Sequence, residues 1–216
     1  RLQFGNQVAV TIGVYLYSVA LQLIAKTGSI AVLKELSDTV KKMCEGELLQ
    51  NDLRGKKVFS KEQYYSIIES KTAVLFKSAC LMGPLLFEHN QAQKEALVLY
   101  ATDLGYLFQL TDDYLDVFGK VSDLNKQLGQ DFFQGILTLP VIYCLDSMSD
   151  QELADFWLAF DAKDGSGITL LNECLINYSI KDRILNTITA KSSHAKKHLT
   201  ELDDNKYKKS LLFLVD

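Results

Sequence analysis

The amino-acid sequence predicts a single all-α domain, built as a bundle of long helices. Apolar residues recur at helical spacing over long segments, and no segment shows a sustained strand-like alternation. Only two prolines occur in 216 residues, so few helices are interrupted. With 48% hydrophobic and 23% charged residues, the composition is that of a globular protein long enough for one substantial core.

The first two helices are predicted at residues 6–27 and 30–49, with a Thr-Gly-Ser turn at 27–29 between them. The first contains the longest apolar run, residues 8–25, which is near the lower limit for a membrane span. We expect a buried core helix rather than a span, because other segments are comparably apolar. The sequence opens without a signal-peptide pattern, so nothing points to secretion.

The charge and the cysteines bear on partners and on location. The net charge of −4 gives no reason to expect a nucleic-acid partner, and the cysteine pattern indicates a cytoplasmic protein. Four cysteines are widely spread within apolar helical patterns and show no paired metal-ligand spacing: Cys44, Cys80, Cys144 and Cys174. We therefore expect reduced thiols buried in the core.

The third helix is predicted to begin at a capping-box pattern, in which Ser60 is followed three residues later by Gln63. A Gly-Pro pair at 83–84 should kink or end it. Lys71, followed by Thr72, falls on the apolar stripe of this helix, where an apolar residue would be expected. A lysine at the edge of such a stripe often extends to solvent, and this alternative remains open for Lys71 alone.

A fourth helix is predicted at residues 91–118, and its C-terminal part carries acids on one side only. Gln109, Asp112, Asp113 and Asp116 share this side at helical spacing, while the rest of the segment is almost entirely apolar. Carboxylates one turn apart repel each other, so the group needs a counter-charge. Their position on a helix, rather than through a turn, favours Mg²⁺ over a calcium loop. A solvated acidic cluster is the alternative.

Two lysines are candidates for meeting a phosphate group beside these acids. One is Lys71, and the other is Lys126, in a loop with Gly129 and Asp131 shortly after the acidic helix. A divalent cation held by carboxylates commonly takes further ligands from phosphate. Acids, lysines and loop together predict a magnesium–diphosphate site in a helical cavity.

The C-terminal part of the chain predicts shorter helices. A Ser-Asp-Gln-Glu sequence at 149–152 has the pattern of a helix start. The other predicted stretches lie around residues 138–143 and near 168–177, 180–199 and 206–215.

His194 and His198 are four residues apart, a spacing that can hold a metal ion on one helix face. They lie among Lys191, Lys196 and Lys197. These lysines favour a solvated helix face over a zinc site, and a solvated face is what we expect.

The acidic helix and the loop after it carry a specific motif. Residues 108–116 read Phe-Gln-Leu-Thr-Asp-Asp-Tyr-Leu-Asp, and the residues that follow in order are Lys126, Gly129, Asp131, Gly135 and Thr-Leu-Pro at 138–140. This resembles the second aspartate-rich motif of the trans-polyprenyl diphosphate synthases, with its downstream Gly-Lys-x-x-Gly-x-Asp and Thr-Leu-Pro signature. The Gln-Gly-x-x-Thr-Leu-Pro form is similar to the catalytic component of two-component hexa- or heptaprenyl synthases.

Three further segments extend the resemblance over nearly the whole chain. Phe-Gly-Asn at 4–6 resembles the segment after the family's first aspartate motif. Residues 45–50 resemble its Gly-Glu-x-x-Gln segment, and Lys71 with Thr72 resembles its Lys-Thr diphosphate contact.

The resemblance implies the family's fold, with long, mostly antiparallel helices around a central cavity, and its chemistry. Mg²⁺ ions bridge aspartates and an allylic diphosphate, whose departure leaves an allylic cation that isopentenyl diphosphate attacks. The implied metal-facing residues are Asp112, Asp113 and Asp116. The implied diphosphate contacts are Lys71, Thr72, Gln109 and Lys126. The residues expected to act in catalysis are Lys71, Asp112 and Asp113.

The chain departs from the family pattern at several points. Residues 1–216 contain neither the first aspartate-rich motif nor the basic residues that hold isopentenyl diphosphate, and they lack the basic C-terminal tail. Val14 stands where many relatives have an aspartate, and Ile136 replaces a common lysine. We therefore expect residues 1–216 to form one prenyl-synthase-like domain that lacks its N-terminal part and does not turn over alone.

The implied function is condensation of isopentenyl diphosphate with an allylic diphosphate to give a linear all-trans polyprenyl diphosphate. A non-catalytic scaffold or regulatory subunit of a heteromeric synthase is the alternative. A terpene cyclase on the same fold is disfavoured, because no late Asn/Asp-x-x-Ser/Thr-x-x-x-Glu motif is found. The expected partners are the two diphosphates and a second synthase subunit, in a homodimer or heterodimer. We expect peripheral membrane contact for product release, without a membrane span.

Overall fold

A computed structural model of the chain describes residues 5–57, 59–119, 129–162 and 165–216. These residues form helices and connecting turns, and no strand occurs among them. The predicted all-α class is confirmed. The helices are α1 (Gly5–Thr27), α2 (Ile30–Leu53), α3 (Lys61–Ile68), α4 (Val74–Leu86), α5 (Gln91–Phe118), α6 (Gln130–Phe133), α7 (Leu139–Leu145), α8 (Asp150–Ala162), α9 (Ser166–Asn177), α10 (Ile180–His198) and α11 (Lys206–Phe213).

Local capping chemistry starts two of the helices that build the site. Before α3, the Ser60 hydroxyl accepts from the Gln63 amide (3.2 Å) and the Gln63 side chain accepts from the Ser60 amide (2.9 Å). This is the reciprocal pair that the sequence predicts. Before α5, the Asn90 side chain accepts from the Ala92 amide at 2.8 Å. Both caps satisfy amides that have no partner within their helix.

The segment predicted as one continuous third helix is divided. A π-helical turn, Glu69–Ala73, separates α3 from α4. The helix then runs through Pro84 to Leu86, two residues beyond the predicted break. Pro84 is tolerated because it lies in the last turn, where it removes only one amide donor.

Two apolar clusters form the core, and α5 contributes to both. The first surrounds α7, which is buried along almost its whole length against α3, α5, α9 and α10. The second lies where α5 packs on α10, with Tyr100 and Leu107 against Ala195 and Leu199. The Tyr100 hydroxyl also donates to the Leu211 carbonyl at 2.7 Å, which fastens α11 to α5. The longest helix is therefore the element on which both halves of the bundle are assembled.

The expectation of a buried first helix is wrong. No residue of α1 is buried, and apolar side chains such as Val10, Val14 and Leu16 are exposed. Its principal neighbour is α2, so one side at most is covered by the described residues. By length and composition α1 could cross a membrane, but core helices of soluble proteins and signal sequences meet the same criteria.

The cysteine expectation is correct in part. Cys144 and Cys174 are buried in the first core cluster, and Cys80 is half-buried. Cys44 is exposed on α2, which contradicts the expected core position. The local pattern alone does not show whether a residue beside an apolar stripe faces another helix or solvent.

Candidate active site

A cavity of about 50 Å³ lies between α2, α3, α5 and the segment that precedes α7. It is lined by both polar and apolar side chains, among them Gln50, Lys71, Gln109, Asp113 and Asp131. Four separate stretches of sequence thus meet at one place. Two predicted diphosphate contacts and one predicted metal-facing residue are among them.

The ammonium group of Lys71 is held over this cavity. Its Nζ lies 2.7 Å from Glu47 Oε2 and 2.6 Å from Gln50 Oε1, both on α2. The side chain is 37% exposed, so it is reachable from solvent but not extended into it. The alternative of a lysine that simply extends to water does not describe this geometry. The cation is pre-positioned by neighbours that an anion could replace.

Thr72, Gln109 and Asp113 form a hydrogen-bonded chain beside the lysine. The Thr72 hydroxyl donates to Gln109 Oε1 at 3.1 Å, and Gln109 Nε2 donates to Asp113 Oδ1 at 2.9 Å. The Tyr64 hydroxyl donates to the other oxygen, Asp113 Oδ2, at 2.6 Å. These bonds fix both the orientation of the Gln109 amide and the position of the carboxyl group.

Asp113 is the electrostatically unusual member of the set. Asp113 is only 2% exposed, and burial raises the pKa of its carboxyl group to about 7. Hydrogen bonds from Tyr64 and Gln109 lower this pKa, whereas the charges of Asp131 and Asp112 raise it further. Burial also raises the pKa of Tyr64, which keeps the phenol a donor. A carboxylate surrounded by neutral donors and other acids is a site that a cation would stabilise.

The other two aspartates of the motif do not converge with Asp113. Asp112 is exposed and lines a different, open pocket of about 650 Å³ between α4, α5 and α10. Asp116 accepts from the amides of Gln130 (3.2 Å) and Asp131 (3.3 Å). Asp112 and Asp113 line different pockets because consecutive residues of a helix point about 100° apart. In this structure Asp116 anchors the first turn of α6.

The remaining predicted positions have different surroundings. Lys126 lies outside the described residues, as do Phe4 and Asp123. Ile136 lines the same cavity as Lys71, so an apolar side chain occupies the position of the expected lysine. Val14 is 61% exposed on α1.

Two glycines, for which the sequence predicted no packing role, bring the helices of the site together. A Cβ on Gly105 would lie 2.4 Å from Ala73 Cα, and one on Gly46 would lie 2.7 Å from the Lys71 amide nitrogen. Both α5 and α2 therefore cross the π-helical turn at backbone contact. π-helical turns occur often at functional sites. The sequence did contain a relevant pattern, since each glycine lies inside a predicted helix. A glycine within a helix, away from any turn, often indicates close packing of another element.

The histidine pair on α10 also departs from expectation. His194 is exposed as predicted, but the His198 side chain is only 17% exposed and faces buried Asp103 on α5. A solvated face is therefore right for the first histidine and wrong for the second. The sequence places Asp103 more than ninety residues away, so this pairing depends on the packing of α10 on α5.

Comparison with known proteins decides the family. The sequence profile described as polyprenyl synthetase matches residues 1–175. The chain belongs to the polyprenyl synthetase family. It is 29% identical over 215 residues to an octaprenyl diphosphate synthase of Haemophilus influenzae. This alignment covers 98% of this chain and 65% of that protein. It is 32% identical over 172 residues to the octaprenyl diphosphate synthase of Escherichia coli, covering 80% of this chain and 53% of that one.

Solved structures of this family share the fold. A decaprenyl diphosphate synthase from Rhodobacter capsulatus matches with a TM-score of 0.86 at 30% identity, over 100% of this chain and 67% of that one. A polyprenyl synthase from Caulobacter crescentus, complexed with calcium and isoprenyl diphosphate, matches with a TM-score of 0.88 at 30% identity, over 99% and 66%. The chain thus spans between about half and two thirds of the length of these relatives.

Proposed function

We propose that this chain is part of a trans-prenyltransferase that condenses isopentenyl diphosphate with an allylic diphosphate into a linear all-trans polyprenyl diphosphate. The observation that carries the proposal is the Lys71–Thr72–Gln109–Asp113 set around one cavity, at the positions of the family motifs. The names of the relatives, octaprenyl and decaprenyl diphosphate synthases, support it. They give no support to a non-catalytic subunit.

The role proposed for the polar chain is to bind and orient a diphosphate. Lys71 Nζ would exchange Glu47 and Gln50 for phosphate oxygens, at little geometric change because its neighbours already hold it in position. Charge-assisted bonds of this kind are about twice as strong as neutral ones. Thr72 and Gln109 would supply neutral donors beside it, and Lys126 is proposed as a second cation on the strength of the motif alone.

The donor set fits Mg²⁺. Asp112, Asp113 and Asp116 offer only carboxylate oxygens, the ligands that this ion prefers. Ionised Asp113 lacks a cationic hydrogen-bond partner among the described residues, because its bonds come from Tyr64 and Gln109. A bound Mg²⁺ would neutralise the negative charge that develops on the departing diphosphate. For Asp112 and Asp116 the metal role stays a prediction from the motif.

Association with a second synthase subunit, identical or not, belongs to the same proposal. The exposed apolar residues of α1 supply a surface for it, since large contiguous apolar surfaces mark interaction sites. A cytoplasmic location with peripheral membrane contact for product release is proposed with it.

The test uses the full-length protein with Mg²⁺, an allylic diphosphate and labelled isopentenyl diphosphate, followed by sizing of the products. The wild type should form chain-extended products, and Asp112→Ala should lower the rate by orders of magnitude while helicity remains intact. Asp146→Ala, an exposed acid paired with Lys61, is the matched control. An unchanged rate in Asp112→Ala would contradict the metal role, and no extension by the wild type would contradict the activity.

A further inference from the structure

A second polar cluster lies where α10 crosses the middle of α5. Asp103 on α5 is 4% exposed, and three side chains of α10 surround it: Lys191, His194 and His198. Asp103 precedes Asp113 by ten residues, which is about 15 Å along the helix axis. The cluster is therefore separate from the cavity around Lys71.

The two oxygens of Asp103 have different partners. Oδ1 accepts from Lys191 Nζ at 2.8 Å. Oδ2 faces both imidazoles, 2.5 Å from His194 Nδ1 and 3.3 Å from His198 Nε2. One carboxylate oxygen and two ring nitrogens, all potential metal ligands, lie within 4.8 Å of one another. Lys191 leaves this group open because it binds the other oxygen.

His198 Nε2 is one of two buried side-chain polar atoms, with Ser78 Oγ, that have no hydrogen-bond partner among the described residues. It is shielded from solvent, and the described residues offer it no aligned hydrogen bond despite the nearby Oδ2. Buried polar atoms without a partner are rare and need an explanation. Two ligands of a tetrahedral ion, each about 2.0 Å from it, are about 3.3 Å apart, and this is the separation of His198 Nε2 from Oδ2. His194 is exposed and can rotate to lengthen its shorter contact.

The ligand atoms are carried by rigid elements. Ala195 and Leu199, the neighbours of the two histidines on α10, are fully buried against α5, and so is Tyr100 one turn before Asp103. Lys191 Nζ also lies 4.8 Å from the centre of the Tyr106 ring, which holds the ammonium away from Oδ2. An open groove leads to His194 and gives an ion access from solvent.

We propose that Asp103, His194 and His198 bind a Zn²⁺ ion that joins α5 to α10, with water completing the coordination. Two imidazoles and one carboxylate select a first-row transition metal over Mg²⁺, which prefers oxygen ligands. Hydrogen bonding of Asp103 Oδ1 to Lys191 orients the carboxylate in the way that partners of metal ligands commonly do. The bound ion would link α5, the helix that carries the aspartate-rich motif, to α10, which packs along it.

Zinc binding to the full-length protein tests the proposal. Titration is performed in excess Mg²⁺ and in a Cys44→Ser background, because the exposed Cys44 thiol could itself bind zinc. One Zn²⁺ per chain should bind and raise the Tm, since a ligand that binds only the folded state stabilises it. Co²⁺ should give the ligand-field absorption of a nitrogen- and oxygen-bound ion. Absence of one-to-one binding would overturn the proposal.

Variants locate the ion. His194→Ala, His198→Ala and Asp103→Asn should each weaken zinc binding at least about tenfold, the loss seen when even a hydrogen-bond partner of a ligand is removed. His89→Ala removes the third histidine of the chain, which is exposed, and should bind zinc as the wild type does. Asp112→Ala should also retain binding. The His194 side chain is exposed, so His194→Ala is the variant least expected to disturb folding. Equal zinc affinity in this variant would assign the ion elsewhere.

Discussion

Two buried carboxyl groups on α5 differ in their hydrogen-bond partners and in the charges around them. Asp103 and Asp113 are 4% and 2% exposed, but among the described residues only Asp103 has a cationic hydrogen-bond partner, because Lys191 Nζ lies 2.8 Å from its Oδ1. Asp113 is held by the neutral donors Tyr64 and Gln109, and its nearby charges are the like charges of Asp131 and Asp112. The charge of Asp103 is therefore balanced in part by Lys191, and the Zn²⁺ proposed above would add to that balance. Among the described residues Asp113 has no cationic partner, and a cation bound from outside the chain would stabilise its ionised form.

The largest contrast is expected in catalysis. Asp113→Asn in the full-length protein should lower the condensation rate by at least about 1000-fold, because it removes the charge that would hold the cation. Asp103→Asn should leave the rate within about threefold, since this group lies about 15 Å away along α5. Steady-state kinetics with labelled isopentenyl diphosphate measure both. Equal losses in the two variants would mean that Asp113 acts only by supporting the helix.

A large difference is also expected in the pH dependence of stability without divalent metal. The folded-state pKa of Asp113 is raised to about 7, so the folded protein holds a proton that the unfolded chain releases near pH 4. The unfolding free energy should therefore fall as pH rises from 4 to 7, by about 4 kcal/mol from this group. Denaturant unfolding of wild type and Asp113→Asn in EDTA measures the difference. The variant should lack this part of the slope, and identical slopes would contradict the raised pKa.

Removal of the matched carboxyl should have a moderate effect on folding. Asp103→Ala should lower the unfolding free energy by about 2 kcal/mol, less than for a fully buried ion pair because Lys191 remains 28% exposed. Asp146→Ala breaks the exposed bridge to Lys61 and should cost less than about 0.5 kcal/mol. Thermal or denaturant unfolding at pH 7 compares them. If both variants lost the same stability, burial would not be what distinguishes Asp103.

The smallest effect concerns the cation beside Asp113. Lys71→Ala should weaken binding of an allylic diphosphate about tenfold, the value of one charge-assisted hydrogen bond. Lys181→Ala, an exposed lysine on α10, should bind it unchanged. Isothermal titration calorimetry with a non-reactive allylic analogue measures both affinities. Retained affinity in Lys71→Ala would leave this lysine only its contacts with Glu47 and Gln50.

Features that depend on neighbouring residues in sequence were predictable. The all-α class followed from helical periodicity, and the cap at Ser60 followed from a side chain that reaches the amide of Gln63 in the first turn of its helix. The motif at 108–116 with its downstream signature led to the family that comparison confirms. Lys71, Gln109 and Asp113, which the resemblance assigns to one site, line one cavity, and their roles stay a prediction.

Features that depend on which helices pack against each other could not be predicted from the sequence. An apolar pattern predicted α1 to be buried, but among the described elements only α2 is a substantial neighbour of it, and none of its residues is buried. Periodicity alone does not show which neighbours a helix has. Asp112 and Asp113 adjoin in sequence yet line different pockets, because each helical step turns the side chain by about 100°.

The sequence by itself determined the class of fold, the ends of most helices and the family, since these arise from local spacing. Tertiary structure decided which charges are matched. The packing of α10 on α5 brings Lys191 and two histidines to Asp103. Lys191 is 88 residues from Asp103 in the sequence, and the histidines are farther still. Among the described residues, Asp113 gained hydrogen bonds from the neutral donors Tyr64 on α3 and Gln109 on α5. Burial and charge balance are properties of contacts between distant segments, and these form only in the folded bundle.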